Sequence, residues 1–440
     1  MTTKIPRRVD KLVLHRRPLK SLVYMSGFEH SAVVEINTVA AQILAMCDGT
    51  TSVGVISEKM ADIYSDKPER TLPVIAKFLE GAIERGHVEL LSHPQPTCAA
   101  VVGSHEYWVP VLAALEITQR CNLECRHCYV DATIESRIEP NESQWICIME
   151  RFAHEGTPFL FLSGGEPLIH PGFRNILKQA SKLFSSVHIA TNGLAISRKI
   201  VGYLEQYSNL AFQISMDGVG ETHNWFRKHD QSFQRVRSAI ELLSRSGKPV
   251  MVAMTVTPRN IDQMELVVNC AREWGAQGVR FGTVFSFGRA MQEELHLSES
   301  DKDKFNDSLA ALSQKYGGDD FLLTEHRLES QFGAQADQEL LTLDNCGAGY
   351  YMCTVAPTGD VMPCPVLRHS FGNLFNEPFE TVFGAEGAGL WAQRPAPSEK
   401  TCEDCQYATE CYGCHAAALT MQKDVEECNW IKAAFSESIK

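Results

Sequence analysis

The chain has 440 residues, of which 44% are hydrophobic, and a formal net charge of −13. This length exceeds what one hydrophobic core normally holds, so two or three domains are expected. No run approaches the ~20 uninterrupted apolar residues that cross a bilayer, and the acidic balance disfavours binding along duplex nucleic acid. We therefore predict a cytoplasmic protein that binds neither membrane nor nucleic acid. Because cytoplasmic thiols stay reduced, its 15 cysteines predict metal binding rather than disulfides.

Residues 7–95 are predicted to form a small α+β domain. Two β-rich runs, SLVYMS and SAVVEIN, flank a turn signal, GFEH, at 27–30. Three helical patterns follow, TVAAQILAMCDG, VGVISEKMADIY and TLPVIAKFLEGAIERG. Residues 96–110 contain Pro, Gly and Ser without a sustained period, which predicts a linker.

A series of alternating strands and helices is predicted for residues 111–315. Six apolar runs predict strands at 113–118, 158–164, 186–191, 210–216, 249–256 and 278–283. Amphipathic helical patterns lie between several of them, and Cys147 and Cys270 within such patterns are predicted to be core residues. Apolar strands that alternate with helices predict a parallel sheet, here a partial (β/α)6 barrel with its chemistry at the carboxyl ends of the strands.

Four polar motifs follow the first four predicted strands. They are TQRCNLECRHC, SGGEP, TNG and SMDG, in chain order. Because the carboxyl ends of parallel strands share one edge of a sheet, the four motifs are expected to meet on one rim.

The first rim motif places Cys121, Cys125 and Cys128 at Cys-x3-Cys-x2-Cys spacing, directly before Tyr129. A structural zinc site is one alternative, and His127 is its nearest candidate for a fourth ligand. The motif resembles that of the radical S-adenosylmethionine enzymes. This resemblance implies that the three thiolates hold a catalytic [4Fe-4S] cluster and leave one iron for S-adenosylmethionine, whose cleavage yields a 5′-deoxyadenosyl radical.

The same resemblance implies further contacts with S-adenosylmethionine. Glu166 of SGGEP would receive its ammonium group, while the two glycines of the motif allow close backbone approach. Arg227 would pair with its carboxylate. Helix caps and turns are the alternative explanation for such polar residues after strands. The full set of expected cofactor contacts is Tyr129, Gly164, Gly165, Glu166, Asn192, Ser215, Asp217 and Arg227.

Eight cysteines in the C-terminal part, residues 316–440, resemble the SPASM domain, which carries two auxiliary [4Fe-4S] clusters. The resemblance implies one set of ligands for each cluster: Cys346, Cys353, Cys364 and Cys414, then Cys402, Cys405, Cys411 and Cys428. Two residues separate Cys411 from Cys414, where the family usually has three, which could change the partner of Cys414. Some related enzymes lack a cysteine at the position of Cys353 and leave an open iron. Zinc ribbons are the alternative.

The N-terminal pattern resembles the RiPP recognition element, a winged-helix-like domain that binds the leader of a precursor peptide as an added β-strand. SLVYMS is the candidate edge strand for this pairing. A DNA-binding winged helix is the alternative interpretation of the same elements.

The combination resembles, over nearly the whole chain, the radical maturases of ribosomally synthesised peptides. It implies three [4Fe-4S] clusters, S-adenosylmethionine, a precursor peptide as substrate and an electron donor such as flavodoxin or ferredoxin. The reaction implied most directly is a thioether bond from a cysteine to a carbon of the core peptide. Carbon–carbon or carbon–oxygen crosslinks and epimerisation are alternatives, and a zinc-containing DNA- or protein-binding module is the alternative without catalysis.

Overall fold

The computed structural model describes residues 1–26, 34–284, 287–318, 320–325, 346–398, 400–411, 413–421 and 428–435. The turn predicted at 27–30 lies outside these residues. The chain divides into two compact units, Met1–Val109 and a larger unit that starts at Pro110. In the described part of the chain, no helix is both long and apolar enough to cross a membrane.

The first unit packs three helices and two small sheets around one core. Asn37 and Ser52 cap the first two helices by accepting hydrogen bonds from Ala40 and Val55. Leu14, Leu44 and Leu79 bring strand and helix side chains together in the core. Its elements are β1 (Ile5–Arg8), β2 (Leu12–Arg16), β3 (Lys20–Met25), β4 (Val34–Asn37), α1 (Thr38–Met46), α2 (Val53–Ile63), α3 (Pro68–Glu84), β5 (Val88–Leu91) and β6 (Ala100–Gly103).

Strand order in this unit corrects two predictions. The larger sheet has the order β4-β3-β2-β6, so β3, which contains SLVYMS, is an interior strand and not the predicted edge. The hydrophobic pattern identifies a strand but not its neighbours. The predicted linker also contributes β6, because its apolar run, Ala100–Gly103, pairs in parallel with β2.

The second unit is built on a ten-stranded sheet of order β13-β12-β11-β10-β9-β8-β7-β14-β15-β16. Its strands are β7 (Leu112–Glu116), β8 (Phe159–Ser163), β9 (Ser186–Thr191), β10 (Leu210–Ser215), β11 (Val250–Val256), β12 (Gly278–Thr283), β13 (Leu322–Glu325), β14 (Met352–Val355), β15 (Asp360–Met362) and β16 (Gly372–Asn373). Its helices are α4 (Glu142–Glu155), α5 (Phe173–Leu183), α6 (Arg198–Leu204), α7 (Glu221–Arg227), α8 (Ser232–Arg245), α9 (Met264–Glu273), α10 (Glu299–Tyr316), α11 (Phe379–Val382), α12 (Ala388–Gln393), α13 (Ala408–Cys411), α14 (His415–Met421) and α15 (Asn429–Phe435).

All six predicted strands are present, as β7 to β12, and neighbouring members are parallel. β13 continues the parallel series at one side. On the other side, β14 from the C-terminal part pairs in parallel with β7. The barrel sheet and the first C-terminal strands therefore form one hydrogen-bonded sheet.

Helix α4 illustrates how the sequence determines the outer layer. A capping box between Asn141 and Gln144 starts the helix, and Gly156, in the left-handed conformation, ends it. Trp145, Ile148, Met149 and Phe152 form its buried stripe. Cys147 falls off this stripe and is exposed, and Cys270 is only half-buried, so neither is the core residue that was predicted.

Candidate active site

The four polar motifs meet at the carboxyl ends of β7 to β10, as predicted. The amide of Glu166, after β8, donates to the carbonyl of Arg120, after β7, at 2.9 Å. Asn192, after β9, donates from its side chain to Cys121 Sγ at 3.8 Å. Arg227, after β10, donates to Cys125 Sγ at 3.5 Å. The segments that follow four neighbouring strands therefore meet around the loop that carries Cys121 and Cys125.

Two glycines allow the loops after β7 and β8 to touch. Gly164 has a φ of +127°, and a Cβ there would lie 2.3 Å from the carbonyl oxygen of Thr118. A Cβ on Gly165 would lie 2.1 Å from the carbonyl oxygen of Arg120. Any other residue at either position would push the Glu166 loop away from the cysteine loop.

Glu166 is fully buried at the centre of the rim. Its carboxylate accepts hydrogen bonds from Thr191 Oγ1 at 2.8 Å, Asn192 N at 2.8 Å and Leu168 N at 3.2 Å. Burial nevertheless raises the pKa of Glu166 to about 7. The positive charge of Arg227 lowers this pKa only weakly. This carboxylate is oriented by fixed donors and suits an ammonium group of a ligand.

Cys121, Cys125 and Cys128 pack together with Leu123 and Ala132 in a small cluster. Their thiols are close enough to influence one another, and burial raises the pKa of Cys121 to about 12. In the described residues, no group of His, Cys, Asp and Glu side chains is arranged around a single metal ion. Three cysteine thiols gathered at one place on the rim fit an iron-sulfur cluster, which cysteine thiolates hold.

His127, the candidate fourth zinc ligand, belongs to a different network. Its Nε2 lies 3.6 Å from Asp217 Oδ2, and its ring packs against the edge of Phe226. Burial is the largest influence on its pKa, lowering it to about 4 despite the nearby carboxylate.

Arg227 and Asp217 form a buried ion pair beside the rim. Arg227 Nη2 lies 2.7 Å from Asp217 Oδ2, and both side chains are buried. Although burial opposes its ionisation, Arg227 and then His127 help hold the pKa of Asp217 below its usual value. The guanidinium supports the cysteine loop through Cys125 Sγ, and its expected contact with the carboxylate of S-adenosylmethionine stays a prediction.

A cavity of about 250 Å³ lies beside this rim. Its lining includes Glu116 of β7, Val130 and Gly164 of the rim loops, and Ala356 and Arg368 of the C-terminal part. Arg368 donates to both carboxylate oxygens of Glu116, at 2.7 and 3.0 Å. Burial raises the pKa of Glu116, and Arg368 opposes this. The cavity therefore joins the cysteine rim to the C-terminal part through a charged pair that sequence reasoning missed.

Tyr129 and Ser215 complete the predicted set. Tyr129 is close enough to Glu116, Arg368, Cys128 and Cys364 for their charges to influence its hydroxyl, whose pKa burial raises. It therefore stands between the rim and the C-terminal cysteines. Ser215 is the half-buried last residue of β10.

The C-terminal cysteines form two groups. Cys346, Cys364 and Cys414 are close enough for their thiols to interact, and burial raises the pKa of Cys364 to about 12. The other group packs around Trp430 and Ala418 and contains Cys402, Cys405, Cys411 and Cys428. Cys414 therefore lies with the first group despite its short spacing from Cys411.

Cys353 does not join the group expected for it. It is fully buried within β14, where it is paired in register with Ala113 of β7. Burial raises the pKa of its thiol, whereas the thiols of Cys346, Cys364 and Cys414 also influence one another. Its apolar setting, YMCTVAP, is the sequence signal for a core position. The first auxiliary group therefore contains three thiols where four were predicted.

Three family models match separate parts of the chain. The radical SAM superfamily matches residues 115–271, the iron-sulfur cluster-binding SPASM domain 346–406, and coenzyme PQQ synthesis protein D (PqqD) 23–88. The sporulation killing factor maturation protein SkfB of Bacillus subtilis is 30% identical, with 64% of this chain and 67% of that protein covered. The chain belongs to the radical SAM superfamily.

This radical SAM enzyme also resembles the antilisterial bacteriocin subtilosin biosynthesis protein AlbA of Bacillus subtilis. The identity is 27%, over 94% of this chain and 91% of AlbA. The crystal structure of Streptococcus suis SuiB bound to S-adenosylmethionine has the same fold, with a TM-score of 0.66 at 15% identity, covering 96% of this chain and 98% of SuiB. The cofactors of the enzyme are [4Fe-4S] clusters and S-adenosylmethionine, and the thiol groups and Glu166 fit them.

Proposed function

We propose that this enzyme matures a ribosomally synthesised peptide by joining a cysteine sulfur to a carbon of the same peptide. The leader would bind residues 7–95, the core peptide would react at the barrel of residues 111–315, and residues 316–440 would carry two auxiliary clusters. Residues 96–110 would connect the first two domains. The names of SkfB and AlbA, which describe maturation and bacteriocin biosynthesis, support this proposal.

The observation that carries the thioether assignment is the three-thiol group of Cys346, Cys364 and Cys414. A [4Fe-4S] cluster held by three protein thiolates leaves one iron without a protein ligand. The thiolate of a substrate cysteine can occupy that position. Cys353, buried alone in β14, leaves the position open.

The chemistry supplied by the bound cofactors is removal of one hydrogen atom from the core peptide by the 5′-deoxyadenosyl radical. In the proposed reaction the cysteine thiol would lose its proton and its sulfur would bond to the carbon radical, with an auxiliary cluster as the acceptor of the surplus electron. The peptide therefore loses two hydrogens for each linkage. Within the chain, Cys121, Cys125 and Cys128 would hold the first cluster, and Glu166 would orient S-adenosylmethionine through its ammonium group. Flavodoxin or ferredoxin would supply the initiating electron in the cytoplasm.

Leader binding is assigned to the edge strand β4. The PqqD match spans residues 23–88, and β4 is the outer strand of the larger sheet within that span. An added peptide strand would gain main-chain hydrogen bonds along this edge. Tethering by the leader raises the local concentration of the core peptide, so the barrel need not bind it tightly.

The deciding experiment is anaerobic coexpression with the small peptide encoded beside this gene, followed by tandem mass spectrometry. We expect a mass loss of two hydrogens per linkage, located between a cysteine and an acceptor residue. An unchanged mass with deuterium taken up from solvent would instead assign epimerisation, and a linkage without sulfur would assign a different crosslink.

Three cysteine variants test whether the first cluster cleaves S-adenosylmethionine while the auxiliary clusters are needed for product formation. Cys125→Ala should abolish reductive cleavage of S-adenosylmethionine, whereas Cys405→Ala should retain some cleavage but form no product. Cys353→Ala is the matched control and should retain both activities, because its thiol stands apart from the cluster ligands. Loss of product and of iron in soluble Cys353→Ala would contradict the three-thiol assignment.

A further inference from the structure

The inner face of the barrel sheet carries a largely buried cation, Arg280, for which the described residues provide no counter-charge. Along β8 to β12, side chains fully buried against the helices alternate with half-buried side chains on the opposite face. The half-buried set includes Phe161, His188, Gln213 and Arg280. Contacts across the strands confirm that they share one face, since Arg280 donates to Gln213 at 3.1 Å and His188 stacks on Phe161.

Only part of the Arg280 guanidinium is hydrogen-bonded to the described residues. Nη1 donates to the neutral amide oxygen of Gln213, while Nε is shielded from solvent and has no hydrogen-bond partner among the described residues. Burial alone lowers the pKa of Arg280 to about 10, so no described carboxylate is near enough to oppose it. A buried charge without a counter-charge destabilises the fold.

The described neighbours of Arg280 provide polar groups but no negative charge. Thr324 is paired with Arg280 in register, and its Oγ1 is also buried without a partner in the described chain. Burial is the main cause that lowers the pKa of His188 to about 4, and the positive charge of Arg280 lowers it further. The His188 ring is therefore neutral near pH 7. Arg280 Nε and Thr324 Oγ1, on neighbouring strands, therefore both lack a hydrogen-bond partner among the described residues.

We propose that Arg280 and Thr324, with Gln213, form a carboxylate-binding site in the barrel that takes an acidic residue of the core peptide. The guanidinium would pair with the carboxylate, and the Thr324 hydroxyl would donate to one of its oxygens. The acidic residue would thereby be held next to the rim, because Arg280 and Ser215 flank Ala253 in register. This inference rests on the proposed peptide substrate and specifies its chemistry.

The carboxylate of S-adenosylmethionine is a second source of the same group, and the geometry favours the peptide. The ammonium and carboxylate of S-adenosylmethionine are attached to one carbon, so both stay close to Glu166 at the ends of β8 and β9. Arg280 lies on β12, and β10 and β11 separate β12 from β9 in the sheet. A carboxylate at Arg280 therefore belongs to a different molecule.

Two small probes test the site without requiring turnover. N-acetyl-aspartate methylamide carries the carboxylate, and N-acetyl-asparagine methylamide replaces it with an amide of almost the same shape. With the full-length enzyme, loaded with its clusters and S-adenosylmethionine, we expect the aspartate probe to raise the thermal unfolding midpoint and the asparagine probe to leave it unchanged. Arg280→Met should weaken binding of the aspartate probe by about tenfold or more.

Stability distinguishes a binding role from a structural one. Arg280→Met removes an unpaired buried charge, so the variant without probe should unfold at the same temperature as the wild type or higher. Arg237→Met, which removes an exposed arginine paired with Glu241, is the matched control and should keep the response to aspartate.

Three results would overturn the assignment: equal responses to both probes, an undiminished aspartate response in Arg280→Met, or a tenfold loss of S-adenosylmethionine affinity in that variant. The last would assign the site to the cofactor. Because none of these measurements needs peptide product, they remain informative if thioether formation is not the reaction.

Discussion

At the scale of single residues, Glu166 shows how the rim prepares for its ligand. Three donors fix its carboxylate, yet burial raises its pKa to about 7 because little positive charge is near. In the enzyme without S-adenosylmethionine, ionisation of the buried Glu166 carboxylate is therefore unfavourable. The positive charge of a bound ammonium group would stabilise the ionised carboxylate, so burial of Glu166 favours binding of that group.

The pH dependence of stability tests this description. Because the folded pKa lies above the unfolded value, the group stabilises the fold at low pH and loses that contribution as pH rises from about 4.5 through about 7. Glu166→Gln should reduce the fall in unfolding free energy between pH 5 and 8 by up to ~3 kcal/mol. Denaturant titrations without S-adenosylmethionine measure it, and identical pH dependence in both proteins would contradict the expectation.

Residue types and spacing predicted which side chains surround the site but not which of them pair. Arg227 was assigned to the cofactor, and its contacts with Asp217 and Cys125 were not predicted. Cys353 was counted as a ligand because of its place in a cysteine series, although it lies inside a strand. Partners are decided by how elements pack, and a linear pattern does not contain that information.

At the scale of elements, the sequence predicted strands more reliably than their order. All six barrel strands were found, because buried parallel strands are continuous apolar runs. In the first unit, β3 was expected at the edge, and β4 is there instead. Both are short β-rich runs, and only the pairing of β3 with β2 and β4 distinguishes an interior strand from an edge.

Hydrogen exchange on the full-length enzyme tests the role of β4. Adding the leader peptide should slow amide exchange in Val34–Asn37, because an added strand gives edge amides new acceptors. The matched control is β6, the other edge of the same sheet, which lies outside the PqqD match and should be unaffected. Protection confined to Ala100–Gly103 would move the binding edge to β6.

At the scale of the whole molecule, we expect cluster binding and folding to be coupled in one of the two units. The described cysteines of the rim and of both C-terminal groups belong to the unit that starts at Pro110. Burial raises the pKa of Cys121 and Cys364 to about 12, so the free thiols are protonated near neutral pH. Cluster assembly must remove these protons and replaces buried thiols by bonds that hold distant segments together.

Limited proteolysis tests this coupling. Removal of iron by an anaerobic chelator should accelerate cleavage between residues 346 and 435, where short helices and loops connect the cysteine groups. Cleavage within Met1–Val109 should keep its rate, since that unit contains none of these cysteines. An equal acceleration in both units, or none in either, would show that the clusters do not maintain the C-terminal fold.

The parallel pairing of β14 with β7 has a consequence for dissecting this protein. A fragment that ends before Met352 would expose the whole backbone edge of β7, whose side chains from Leu112 to Glu116 are all buried. Exposed, uncharged strand edges recruit other chains, so such a fragment should aggregate instead of yielding a soluble minimal catalyst. Chimeras between relatives should therefore exchange the barrel and the segment through β15 together, because the boundary suggested by the cysteine motifs cuts through a continuous sheet.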